Sequence, residues 1–235
     1  MKNKTAYITG GSKGIGLGIA EALLKQGMKV AITCRDKNRG ETAMQGITND
    51  KDAYLVIESD VKDYNAELAA IQKVTDSWGQ LDLVIANAGI GTYAPIDELS
   101  PEAWNNTIDT NLTGVFNTVK AAVPELKKSK GYVITIASLA GTNFFAKGAA
   151  YNASKFGLVG FSQAIMLDLR PYDVKVTTIM PGSVATYFNG NIPDASDAWK
   201  IQPEDIGQIV VDLLNMPART LPSKVEVRPS KTSLD

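Results

Sequence analysis

The chain has 235 residues, 44% hydrophobic and 21% charged, with 24 basic against 25 acidic side chains and a formal net charge of −1. That is globular composition with length for one sizeable core, and a near-neutral total gives no general attraction to nucleic acid or anionic lipid. There is no histidine and a single cysteine, Cys34, which excludes Ser-His-Asp and Cys-His catalysis, the H-E-x-x-H zinc site, an internal disulfide and a multi-cysteine metal centre.

The opening MKNKTAYITG passes directly into a strand-like run with no apolar leader, and no run reaches the roughly 18 apolar residues of a membrane span. One cysteine suits a reducing compartment. The expectation is a soluble, cytoplasmic protein with no membrane, nucleic-acid or metal partner.

In chain order, TAYITG precedes the helix-patterned IGLGIAEALLKQG, and KVAITC precedes a polar helical stretch through residue 47. AYLVIES precedes NAELAAIQKVTDSWG, and LDLVIANAG precedes a long helical segment to about Lys130. There follow YVITIAS, a helix opening near Tyr151, VKVTTIM, a helix after Pro203, and KVEVRP. Short β-branched runs alternating with helices predict an α/β fold: one doubly wound Rossmann-type domain over residues 1–235. Its sheet is expected to be seven-stranded and mostly parallel, with helices on both faces. Residues 187–203 read as a substrate lid and 229–235 as a polar tail.

TGGSKGIG, Thr9 to Gly16, lies between the first strand and the first helix. Glycines there permit positive φ and close approach of a ligand to the backbone. The helix start beyond them offers free N–H groups and a positive dipole end to a pyrophosphate. The spacing of Gly10, Gly14 and Gly16 is G-x-x-x-G-x-G, and its place between strand and helix favours a dinucleotide over a plain tight turn.

A carboxylate ending the second strand would accept from the adenosine ribose and repel a 2′-phosphate. Here that end carries Cys34, followed by Arg35 and Asp36. Arg35 offers a forked contact to a phosphate, and Lys13 a second positive charge. Asp36 suits the N-cap of the next helix. This pattern favours NADP(H) over NAD(H).

Tyr151 and Lys155 stand four apart in YNASK, so on a helix they share a face. A free tyrosine has a pKa of about 10, and a nearby ammonium would lower it towards a useful range. Ser138, at the end of YVITIAS, falls at the strand edge where open α/β sheets bind ligands. Its hydroxyl can hold a carbonyl oxygen beside Tyr151.

These motifs, in this order, resemble the short-chain dehydrogenase/reductase family along essentially the whole chain. TGGSKGIG is similar to its T-G-x-x-x-G-I-G loop, which brings Ser12 and Ile15 to the cofactor with the glycines. Asp60 and Val61 resemble the pair that meets adenine. ANAG, with Asn87, Ala88 and Gly89, is similar to N-N-A-G beneath the cofactor, although Ala86 replaces the first asparagine. PGSVAT resembles the loop at the nicotinamide carboxamide, implying contacts from Pro181, Gly182, Val184 and Thr186. The resemblance implies that Tyr151 is the general acid/base and that Lys155 binds the nicotinamide ribose and lowers the Tyr151 pKa. It further implies that Ser138 orients the carbonyl and that Asn111 holds a water in a proton relay. Asn111 has a plainer reading, as a helix cap or kink, and Asp60 as a helix start. An NADP(H)-dependent carbonyl reductase, reversibly an alcohol dehydrogenase, is therefore expected, with a small-molecule carbonyl or alcohol substrate. The alternatives are a 3-oxoacyl-thioester reductase and a non-catalytic NADP-binding sensor. A homo-oligomer is expected too, either a tetramer or a dimer through the long helices after Asn111 and Tyr151. In the lid, Tyr187, Phe188, Ile192 and Trp199 either face the substrate or pack the lid onto the body.

Overall fold

Nearly every residue of the inner strands is buried, so neither face of the sheet they form is left to water. The computed structural model describes residues 1–232. In it β1 (Thr5–Thr9), β2 (Lys29–Cys34), β3 (Tyr54–Glu58), β4 (Leu83–Ala86), β5 (Tyr132–Ile136), β6 (Lys175–Pro181) and β7 (Lys224–Val227) form one seven-stranded sheet, ordered β3-β2-β1-β4-β5-β6-β7. Every neighbouring pair is parallel. The order reverses between β1 and β4, where a doubly wound sheet opens a crevice beyond the strands' C-terminal ends.

The helices are α1 (Gly14–Lys25), α2 (Lys37–Gln45), α3 (Tyr64–Trp78), α4 (Pro101–Ile108), α5 (Gly114–Ser129), α6 (Ala149–Leu169) and α7 (Pro203–Asn215). Side chains alternate along each strand and so build two cores. Ala6, Ile8, Val30, Ile32 and Ile85 join Ile19 and Leu23 of α1, Met44 of α2 and Val210 of α7. Tyr7, Ala31, Val84 and Val133 join Ile71 and Val74 of α3, Val119 of α5 and Leu158 of α6 on the other face. Glycine brings α1 and α7 close: a Cβ on Gly18 would lie 2.6 Å from the Pro203 backbone.

Local signals place most boundaries. Asp36 caps α2 by accepting from Arg39 N at 3.1 Å. Asp63, not Asp60, caps α3, accepting from Asn65 N and Ala66 N. The segment before Lys130 is α4 and α5 joined through a π-helical turn, Asp109–Thr113, that contains Asn111. The strand containing YVITI ends at Ile136, two residues short of Ser138. Part of the predicted tail, residues 233–235, lies outside the described residues. Among the described residues no helix is long and apolar enough to cross a membrane.

Candidate active site

A cleft of about 740 Å³ runs over the C-terminal ends of the strands. Its floor at one end is the loop after β1, where Gly10 and Gly14 have φ of +66° and +56°. No side chain caps the start of α1, so its free N–H groups and positive dipole end remain available to an anion. The predicted cofactor contacts line this cleft with one exception. Gly16 is buried behind the loop, and a Cβ there would lie 2.6 Å from both Asn87 Nδ2 and Gly10 O. It permits packing and does not face the cleft. Asn87 does line it, but its Nδ2 is spent on the backbone, donating to Thr9 O at 2.9 Å and Gly10 O at 3.2 Å.

Beside the end of β2 three cations share the wall: Lys13, Arg35 and Arg39. Among the described residues none of them is in an ion pair. Burial, then Arg39 and Arg35, holds the Lys13 ammonium below its usual range. Like charges gathered without partners suit a ligand carrying extra negative charge there. Cys34 ends β2 as expected, its thiol donating to Asp36 O at 3.0 Å, and burial pushes that thiol up towards its neutral form. Arg39 went unread in the sequence, although it lies four residues after Arg35 and in the first turn of α2. The glycine cradle, uncapped helix start and cation cluster form a donor set that fits a dinucleotide.

At the other end α6 presents Tyr151 and Lys155 from its first turns. Ser138 caps the helical turn Leu139–Gly141, accepting from Ala140 N at 3.1 Å. All three line the cleft. Tyr151 is only 8% exposed. Burial pushes its pKa up to about 12, with the Ser138 hydroxyl pulling against that shift and Tyr93 adding to it. Lys155, also buried, is pulled down to about 8. Its Nζ donates to Ile136 O at 3.0 Å and stands 5.7 Å from the centre of the Tyr151 ring. In the free protein burial therefore opposes the lowering of the Tyr151 pKa expected from Lys155. Desolvation penalises the charged form of both groups.

Asn111 is fully buried outside the cleft lining. Its Nδ2 donates to Ile90 O at 2.9 Å and Ser154 Oγ at 3.0 Å, and its Oδ1 accepts from Ile90 N at 2.8 Å. The side chain is thus fully engaged by protein, tying the turn after β4 to α6.

Other lining residues carried no sequence motif. Tyr93, in the loop after β4, stands edge-on to Tyr151 at 5.6 Å and to Phe145 at 5.7 Å. Phe188 approaches Tyr151 to 5.8 Å. Within 187–203, Tyr187 and Phe188 line the cleft, Trp199 does not, and Ile192 is 74% exposed. Asn152, next to Tyr151, donates to Ala140 O and Asn143 O at 2.8 Å each and accepts from Phe145 N at 3.4 Å.

Residues 4–197 match the family model described as short chain dehydrogenase. An uncharacterized oxidoreductase of Staphylococcus saprophyticus is 34% identical, over 97% of this chain and 98% of its own. Trans-4-hydroxycyclohexanecarboxylate dehydrogenase of Sinomonas cyclohexanicum is 33% identical, over 91% of this chain and 86% of its own. An alcohol dehydrogenase from the archaeon Thermococcus sibiricus, solved in complex with 5-hydroxy-NADP, matches with a TM-score of 0.91 at 28% identity, covering 99% of each chain. The chain belongs to the short-chain dehydrogenase family and is an oxidoreductase acting on CH–OH groups.

Proposed function

We propose that the protein is an NADP(H)-dependent carbonyl reductase, reversibly an alcohol dehydrogenase. The observation that carries this reading is one cleft with Ser138, Tyr151 and Lys155 at one end and the unpaired Lys13, Arg35 and Arg39 at the other. The archaeal relative's complex with 5-hydroxy-NADP supports the choice of nucleotide.

When bound, the reduced nicotinamide supplies the hydride. Ser138 Oγ holds the carbonyl oxygen, and Tyr151 Oη gives it a proton as the oxygen gains the electron pair. Tyr151 takes the proton back in the oxidative direction. Its neutral form is the one that burial favours, which suits the donor's role in reduction. Lys155 donates to the nicotinamide ribose and, when charged, steadies the phenolate left on Tyr151. Asn111 acts by holding the Ile90 turn against α6, beside Lys155, rather than by exposing its own amide to a water. Lys13, Arg35 and Arg39 hold the adenosine-end phosphate, and Asp60 and Val61 the adenine. The same reading includes self-association through α5 and α6, where Phe116 and Phe156 are exposed.

Tyr151→Phe should cut NADPH oxidation with a carbonyl substrate by ~10²-fold or more, on the scale of general-acid loss. NADPH binding, followed by fluorescence, should be unchanged. A fully active Tyr151→Phe protein would overturn the mechanism.

A further inference from the structure

The reactive tyrosine sits in an aromatic box. Tyr93 and Phe188 flank its ring, and Phe145 continues the wall behind Tyr93. The walls join over Gly91, where a built Cβ would lie 2.6 Å from Phe188 and 3.1 Å from the Tyr93 hydroxyl. The rings stand edge-on or tilted, at 57° to 75°, so faces and edges remain for a further ring to meet.

Charge is distributed very differently. Apart from the residues gathered at the ends of β2 and β3, the charged side chains in the cleft lining are Lys155 and Lys200. Lys155 donates to Ile136 O and, in the proposed reaction, to the nicotinamide ribose, and Lys200 is paired with Asp197 at 2.5 Å. A carboxylate on the substrate would find neither cation free. Volume restricts the choice further, because about 740 Å³ must take a dinucleotide and the substrate together.

Resting on the carbonyl-reductase reading, we propose that the substrate is a compact, uncharged ketone, or its alcohol, bearing an aromatic ring beside the carbonyl. Tyr93 is its specificity-determining residue. The ring packs between Tyr93, Phe145 and Phe188 while the carbonyl oxygen lies between Ser138 and Tyr151. Open-chain ketones fill the same volume without edge-to-face contacts, and ring ketones with a carboxylate lose solvation without gaining a cation.

The test uses acetophenone, methyl hexyl ketone of equal carbon count, and para-acetylbenzoate. Each is titrated calorimetrically into the protein saturated with NADP⁺, which cannot reduce a ketone, and each is assayed separately for NADPH oxidation. Acetophenone should bind about 10-fold or more tightly than either competitor, the discrimination open to an apolar pocket. Tyr93→Ala should bring the three affinities together, and Tyr93→Phe should restore the preference, with thermal melts confirming that both variants fold. Equal binding of the three ligands overturns the proposal, as does an undiminished preference in Tyr93→Ala. If the Tyr93-dependent binding preference is present but no ketone is reduced, the box stands and the reductase reading falls. Reduction of the open-chain or charged ketone without a binding preference leaves the reductase reading intact and removes this one.

Discussion

At Tyr151 two requirements pull against each other. A proton donor to a carbonyl must be shielded from water, and shielding raises the cost of the phenolate that donation leaves behind. With burial dominant, Tyr151 in the free protein should titrate towards 12, not below the ordinary 10. A spectrophotometric tyrosinate titration of wild type against Tyr151→Phe should show no difference below pH 10. A step in that difference well under 10 would mean that Lys155 wins. A second buried acid, Glu67 of α3, lies outside the reaction. It accepts from Ser59 Oγ at 2.7 Å and from Tyr7 OH at 3.1 Å, and Thr118 Oγ1 stands 2.7 Å from its Oε2. Thr118 has one hydrogen, also within reach of Gly114 O at 2.9 Å. Buried among these three hydroxyls, Glu67 holds a carboxyl proton more readily than it would in water. Burial raises the Glu67 pKa above 4.5. The folded chain then holds this proton more tightly than the unfolded one. The stability it contributes is full below 4.5 and falls as pH rises through the folded value. Glu67→Gln should flatten that decline in urea melts taken across the acid range, and parallel curves for the two proteins would reject the assignment.

Among the elements, α6 has the most demanding position, because it must bring Tyr151 and Lys155 over the end of β5 and also carry the loop before it. Asn152 couples these tasks: its three hydrogen bonds hold residues 140–145 in place, and with them Phe145. Asn152→Ala should cost about 1–3 kcal/mol through the carbonyls and N–H left without partners. For an aryl ketone it should raise KM with little change in kcat, and steady-state kinetics beside a denaturant melt check both. A fall in kcat at constant KM would place Asn152 in the chemistry instead. On the opposite face, α1 and α7 meet through Gly18 against Pro203 with no space for a side chain. Gly18→Leu should overpack this contact and destabilise by about 1–3 kcal/mol, read as a lower urea midpoint. An unchanged midpoint would show that α7 can move aside freely.

For the whole molecule, ligand binding and folding are linked, because the unfolded chain has no cleft. A nucleotide at one hundred times its Kd stabilises by about 2.7 kcal/mol. At equal concentration NADPH should therefore raise Tm more than NADH does, and the double variant Arg35→Ser, Arg39→Ser should erase the difference by weakening NADPH. An unchanged gap in that variant would remove the phosphate role from both arginines.

The amino-acid sequence by itself determined the alternation of strands and helices, the glycine turn, the Asp36 cap and the Tyr151–Lys155 face. Each depends on residues a few positions apart, whose geometry the local backbone dictates. A mostly parallel, doubly wound sheet follows from that alternation through the handedness of crossovers, whereas the order of its strands and the parallel pairing of every neighbour came with the tertiary structure. Only the tertiary structure decided the rest. Arg39 joins Lys13 across a loop, Tyr93 reaches Tyr151 from another strand's end, and Gly16 and Asn111 turn from the cleft into packing. The protonation balance of Tyr151 and Lys155 belongs to the same group. Spacing in the chain brings those two side chains together, but their charge is governed by how much water the surrounding fold leaves them, and that is settled when distant segments close over the site.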